Sequence, residues 1–131
     1  MKLVQINITC GSGSTGKICV AVSKLLNLAG VENYILYTSG QSEYKNGKKY
    51  MNDLAVKCQA LKSRVFGNYG FQSKAATRRL ISKLDCIAPD VVHLHNLHGH
   101  NIHLRDLFAY LKTKKIKIFW TFFSHSHNCI N

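Results

Sequence analysis

Val4, Ile6 and Ile8 alternate with Gln5 and Asn7, the two-residue period of a half-buried strand, so residues 2–8 predict a first β-strand. The alternation stops at a Gly/Ser/Thr cluster over residues 11–16. From Thr15 onward Ile18, Val22, Leu25 and Ala29 recur at helical spacing. They predict an amphipathic helix with these residues along one stripe, and Gly30 is its natural stop. Tyr34–Thr38 is rich in β-formers and predicts a second strand. Strand, glycine turn, helix and strand make a βαβ unit, whose crossover implies parallel pairing.

Residues 40–52 are polar and basic, with an Asn46-Gly47 turn signal, and predict an exposed loop. Asn52 can cap a helix in which Leu54, Cys58, Leu61 and Val65 share a face, before Gly67 and Gly70 interrupt it. A further helix carries Thr77, Leu80, Ile81 and Leu84 in one stripe. Ala88-Pro89-Asp90 is a turn, Val91–His95 a third strand, Leu104, Leu107, Phe108 and Leu111 another helix, and Ile116–Phe122 a fourth strand. Strands alternating with helices predict an α/β fold: a Rossmann-like, open, mainly parallel, doubly wound sheet forming one domain over residues 1–131. A last strand as apolar as IKIFWTFF belongs inside a sheet, yet only SHSHNCIN follows it, so the fold is expected to be truncated.

Composition adds a partner class. A formal net charge of +12 on 131 residues favours something anionic: nucleic acid, an acidic membrane leaflet or a phosphorylated substrate. The 5 cysteines include no Cys-x-x-Cys pair and no regular spacing, which fits a reducing compartment better than a disulfide framework. Gln5 and Asn7 break the apolar run of a signal peptide, and no stretch approaches transmembrane length. The expected location is the cytoplasm, with any membrane contact peripheral and on the inner face.

Two segments carry candidate chemistry. Gly11-x-Gly13-x-x-Gly16-Lys17 stands between a strand and a helix, where glycines let the backbone turn sharply and helix amides meet an anion. A dinucleotide site wants an acidic residue at the end of the second strand, but Thr38, Ser39, Gly40 and Gln41 stand there. A magnesium-binding P-loop wants Ser or Thr after the lysine, but Ile18 stands there. The second segment, VVHLHNLHGHNIH, holds His93, His95, His98, His100 and His103. Alternation puts His93 and His95 on one strand face. No Asp, Glu or Cys within the segment completes a metal-ligand set, so no metal is expected. Its place at the carboxyl end of a parallel strand favours ligand contact instead.

GSTGKI after a first strand, then GNYGFQSKAATRRLISKL, then APDVVHLHNLHGHNIHLRDLFAYLK followed by FWT, together resemble the N-terminal half of family 4 glycosyltransferases. The likeness is to bacterial enzymes of capsular and exopolysaccharide assembly, and it runs from residue 1 to about 121. It implies the acceptor-side half of a GT-B fold, whose nucleotide-sugar donor and hydroxyl acceptor meet in a cleft between two Rossmann-like halves. By this resemblance Gly13, Ser14, Thr15, Gly16 and Lys17 approach the donor diphosphate, and His95, Asn96, His98 and Gly99 line the acceptor side. No metal or other cofactor is implied.

The resemblance further implies a lipid-linked, anionic acceptor and peripheral contact with an anionic membrane. Lys57, Lys62, Arg64, Lys74, Arg78, Arg79 and Lys83, which flank or lie on the two middle helices, would meet the acidic headgroups. Nucleic acid is not expected, because few aromatics interleave the basic residues. Relatives follow the Trp-Thr strand with a short apolar residue, a His and an Asp at the cleft. Here Phe122-Phe123-Ser124 follow Thr121, so Phe123 holds the histidine position, His125 and His127 are out of register, and no catalytic residue is assigned. With the donor-binding half also lacking, a frameshifted or truncated gene and an inactive isolated chain are the expectations. Two alternatives remain at this stage: a binding module or subunit paired with a separate C-terminal half, and a nucleotide-binding protein with a modified P-loop.

Overall fold

The computed structural model describes residues 1–52, 61, 74–95, 97 and 102–122. Its strands are β1 (Lys2–Asn7), β2 (Glu32–Tyr37), β3 (Gly47–Lys49), β4 (Val91–His95) and β5 (Lys117–Thr121), and its helices are α1 (Gly13–Leu28), α2 (Lys74–Ile87) and α3 (Leu104–Thr113). They build a five-stranded sheet in the order β3-β2-β1-β4-β5. Every pairing is parallel, with Gln5 opposite Ile35 on one side and His93 on the other. This is the α/β, Rossmann-like open sheet that the alternation of elements predicts.

Strand alternation divides the residues between two faces. Val4, Ile6, Leu36, Val92 and Leu94 point to the side where Leu80 and Leu84 of α2 and Leu107 and Leu111 of α3 bury the larger core. The stripes read for these two helices are therefore the ones that pack. The opposite side carries Gln5, Asn33, Ile35, Tyr37 and His95, and α1 covers its first half. The order of strand addition reverses between β1 and β4, so a crevice opens at their carboxyl ends.

Two expectations need correction. Residues 47–49 are not exposed loop: β3 extends the sheet beside β2, and Tyr50 and Met51 behind it are buried. No local apolar pattern announces so short a strand. The open edge of β2 recruits it, with Ile35 N–H donating to Asn46 O and Tyr50 N–H to Tyr37 O. The second correction concerns α1. Its buried residues are Gly16, Cys19 and Ser23, while Ile18 and Leu25 of the predicted stripe are exposed. The contact is small and polar: Gln5 Nε2 donates to Cys19 O at 3.0 Å, and Ser23 Oγ to Asn33 Oδ1. Small side chains let the helix approach, and directed hydrogen bonds replace apolar contact. Of the helix expected around residues 54–65, Leu61 is helical and exposed. The rest of that segment lies outside the described residues.

Both α2 and α3 end without glycine. Ala88 (φ +51°) and Lys115 (φ +56°) take the left-handed cap conformation, in which Ala88 N–H donates to Leu84 O and Ile116 N–H to Leu111 O. A β-carbon is strained there. Ala88→Gly and Lys115→Gly should each raise stability by about 0.5 kcal/mol, a gain that thermal denaturation of each variant would register.

Candidate functional site

The glycine loop forms because β1 must turn abruptly into α1. Gly11 and Gly13 take positive φ values of +77° and +67°, and Gly11 N–H donates to Gly16 O at 3.0 Å. Two side chains brace the turn. Asn7 Nδ2 donates to Thr9 O at 2.9 Å and to Thr15 Oγ1 at 3.3 Å, and Thr9 Oγ1 donates to Ser12 O at 2.7 Å. Ser12 occupies the N-cap position, yet its side chain makes no capping bond, and the first turn holds no acidic residue. The first amides of α1 thus combine with the positive end of its dipole to favour an anion. Gly13, Ser14 and Lys17 are exposed, Thr15 is half-buried and Gly16 is buried. The loop after β2 runs alongside, with Lys49 Nζ donating to Gly40 O and Ser42 Oγ to Cys10 Sγ. At the end of β2, Thr38 turns its hydroxyl to Ile8 O.

His95 lies at the same end of the sheet, on the face shared with Gln5 and Asn7. It is 1% exposed, so it acts from inside the fold and not from the crevice surface. Its Nε2 lies 2.9 Å from Gln5 Oε1, and Gln5 Nε2 donates onward to Cys19 O. Because the Gln5 oxygen must accept, His95 carries its proton on Nε2, and Nδ1 is left as an acceptor. That Nδ1 has no hydrogen-bond partner among the described residues, and neither has the buried Asn7 Oδ1. The register Ile6↔Leu94 makes Asn7 and His95 the next neighbours across β1 and β4. Asn7 and His95 are thus neighbouring residues on one sheet face, each with a buried acceptor that a bound water would satisfy.

His93 lies against His95 with ring centroids 3.8 Å apart and the ring planes tilted by 36°, and its Nε2 is 2.8 Å from Thr121 Oγ1. Burial lowers the His93 pKa; burial first, and then the neighbouring His93, push His95 down to about 4. Both are thus neutral imidazoles at physiological pH. Among the described residues no three His, Cys, Asp or Glu side chains come together as a metal site. Cys10 and Cys19 are buried, and desolvation raises both thiols, Cys19 to about 12, so neither is poised as a nucleophile.

Asn96, His98, Gly99 and Phe123 lie outside the described residues, as do Lys57, Lys62 and Arg64. On α2, Lys74, Arg78 and Arg79 are exposed and Lys83 is half-buried. No helix among the described residues is long and apolar enough to cross a membrane. Asn7 and Gln5 escaped the sequence reading as site residues. Their polar side chains on a core strand were the available signal, since a buried amide must answer another polar group. Neither a protein-family model nor a curated protein matches this chain.

Proposed function

We propose that this chain is the acceptor-side half of a glycosyltransferase that moves a sugar from a nucleotide-sugar donor to a hydroxyl of a glycan acceptor. The lipid-linked, cell-surface acceptor implied by the sequence resemblance is part of this reading. One observation carries it: an uncapped helix N-terminus free of acidic residues opens at the crevice of a parallel sheet. The amides suit the diphosphate of a nucleotide-sugar donor. In the transfer step the amides at Gly13–Gly16, with Lys17, would stabilise the departing diphosphate, and Asn7 would hold the turn that presents them through its bonds to Thr9 O and Thr15 Oγ1.

Calorimetric titration of the chain with a nucleoside diphosphate and with its sugar conjugates tests this. Both should bind without magnesium, and Lys17→Ala should weaken both by about tenfold, the worth of one charge-assisted contact. Strict magnesium dependence would instead favour a modified P-loop. Absence of binding at millimolar ligand would refute the proposal.

A further inference from the structure

The two edges of the sheet are built differently. At one edge β3 is three residues long and carries Lys48 and Lys49, the short and charged form that discourages further pairing. At the other edge β5 is five residues long, and Lys117 is its only charge. Among the described residues β5 pairs with β4 alone. Ile118 and Phe119 point to opposite faces and are 39% and 62% exposed, so this edge is apolar on both. Phe122, just beyond the strand, is 71% exposed and stacks on Trp120 with ring centroids 4.4 Å apart. Such an edge is a template for another strand.

The backbone shows which groups that edge offers. Lys117 N–H donates to Asp90 O beside β4, so the peptide groups of Lys117, Phe119 and Thr121 face inward. Direction alternates along a strand, and the N–H and C=O groups of Ile118 and Trp120 therefore face outward. The sequence of β5 complements itself in this frame. When two copies run antiparallel about a two-fold axis through Phe119, Ile118 of each stands opposite Trp120 of the other. These are the residues with outward peptide groups, so each such pair exchanges both its N–H···O bonds. Phe119 meets Phe119 on the axis, as the closer pair without hydrogen bonds.

Side chains agree with the same register. On the face of Ile118 and Trp120, Phe122 comes opposite Ile116, so that row sets aromatic against β-branched residues throughout, a favourable cross-strand pairing. On the other face Lys117 comes opposite Thr121, which keeps the two lysines of the strands apart. A net charge of +12 opposes self-association at long range, but salt screens that term and the paired strands add no like-charge contact. We propose that β5 is an interface through which two copies of this chain join antiparallel into one continuous sheet, with Phe119 on the two-fold axis.

Sedimentation equilibrium of the full chain across a salt series tests this. A dimer should form at about 100 µM or below, and it should tighten as salt screens the net charge. Phe119→Lys sets like charges together on the axis and should raise the dissociation constant about tenfold or more. Ile118→Pro removes only an outward N–H, a change that edge strands accept, and should weaken the dimer as much. Circular dichroism checks folding, and Phe119→Lys decides the outcome where the proline variant unfolds. Cysteines fix the register. With oxidised glutathione, Phe119→Cys should give a disulfide-linked dimer well above the wild-type background. Ile118→Cys should not, because its two copies lie about 8 Å apart across the axis, too far for a disulfide. The proposal fails if the chain stays monomeric, if salt weakens the dimer, if Phe119→Lys leaves it intact, or if Ile118→Cys crosslinks as well as Phe119→Cys.

Discussion

Gly16→Ala should destabilise the protein by about 2 kcal/mol in urea denaturation, and Gly16→Val should prevent folding, because both overfill a closed contact. A β-carbon at Gly16 would meet Thr9 Oγ1 at 2.6 Å, Gly11 N at 3.2 Å and Thr9 C at 3.3 Å. Two of these atoms belong to the backbone of the turn, and Thr9 Oγ1 is held by Ser12 O, so none yields freely. Relief requires α1 to lift from the loop. That lift would also disturb the amides that face an anion, so the same variant should lose affinity for nucleoside diphosphates. Thr9→Ala removes the nearest atom. The double variant should recover about 1 kcal/mol relative to the sum of the single effects, a coupling that a double-mutant cycle measures directly.

The second large effect is acid destabilisation through His95. Burial holds it at about 4 in the folded chain, against an ordinary value of 6.5 when unfolded. Between these values the unfolded chain takes up the proton that the folded chain refuses. The contribution is therefore complete above pH 6.5 and is lost as the pH falls toward 4. The full loss amounts to roughly 3 kcal/mol, and the lowered His93 acts in the same direction. Urea midpoints across this range should fall steeply for the wild type. In His95→Gln, whose amide can still donate toward Gln5 Oε1 but does not titrate, the slope should flatten. An unchanged slope would mean that His95 is not the responsible group.

Local pattern made most of the architecture legible. The alternation at Val4 and Ile6 gave β1, the stripes at Leu80–Leu84 and Leu107–Leu111 gave the packing faces of α2 and α3, and Gly30 closed α1. Such positions follow from one rule, that an element buries the face its period defines. The glycine loop was legible for a similar reason, since its turn geometry is local. His95 was legible as a polar residue at the carboxyl end of a strand. Its burial was not, because that depends on Gln5 and Cys19, distant in the chain. Asn7 was hidden for the same reason: it matters only as the neighbour of His95 across two strands.

The sequence by itself determined the order and kind of every described element except β3, together with the parallel βαβ start and the glycine loop ahead of α1, because periodicity and turn chemistry are written within each segment. Tertiary structure alone decided three things. It added β3, which exists because β2 has an edge to fill. It turned α1 so that Gly16, Cys19 and Ser23 face the sheet and the apolar stripe faces outward. It also made Asn7 and His95 neighbours, each with a buried acceptor unpaired among the described residues. Each outcome depends on groups far apart in the chain satisfying one another, and periodicity along a single segment carries no record of that.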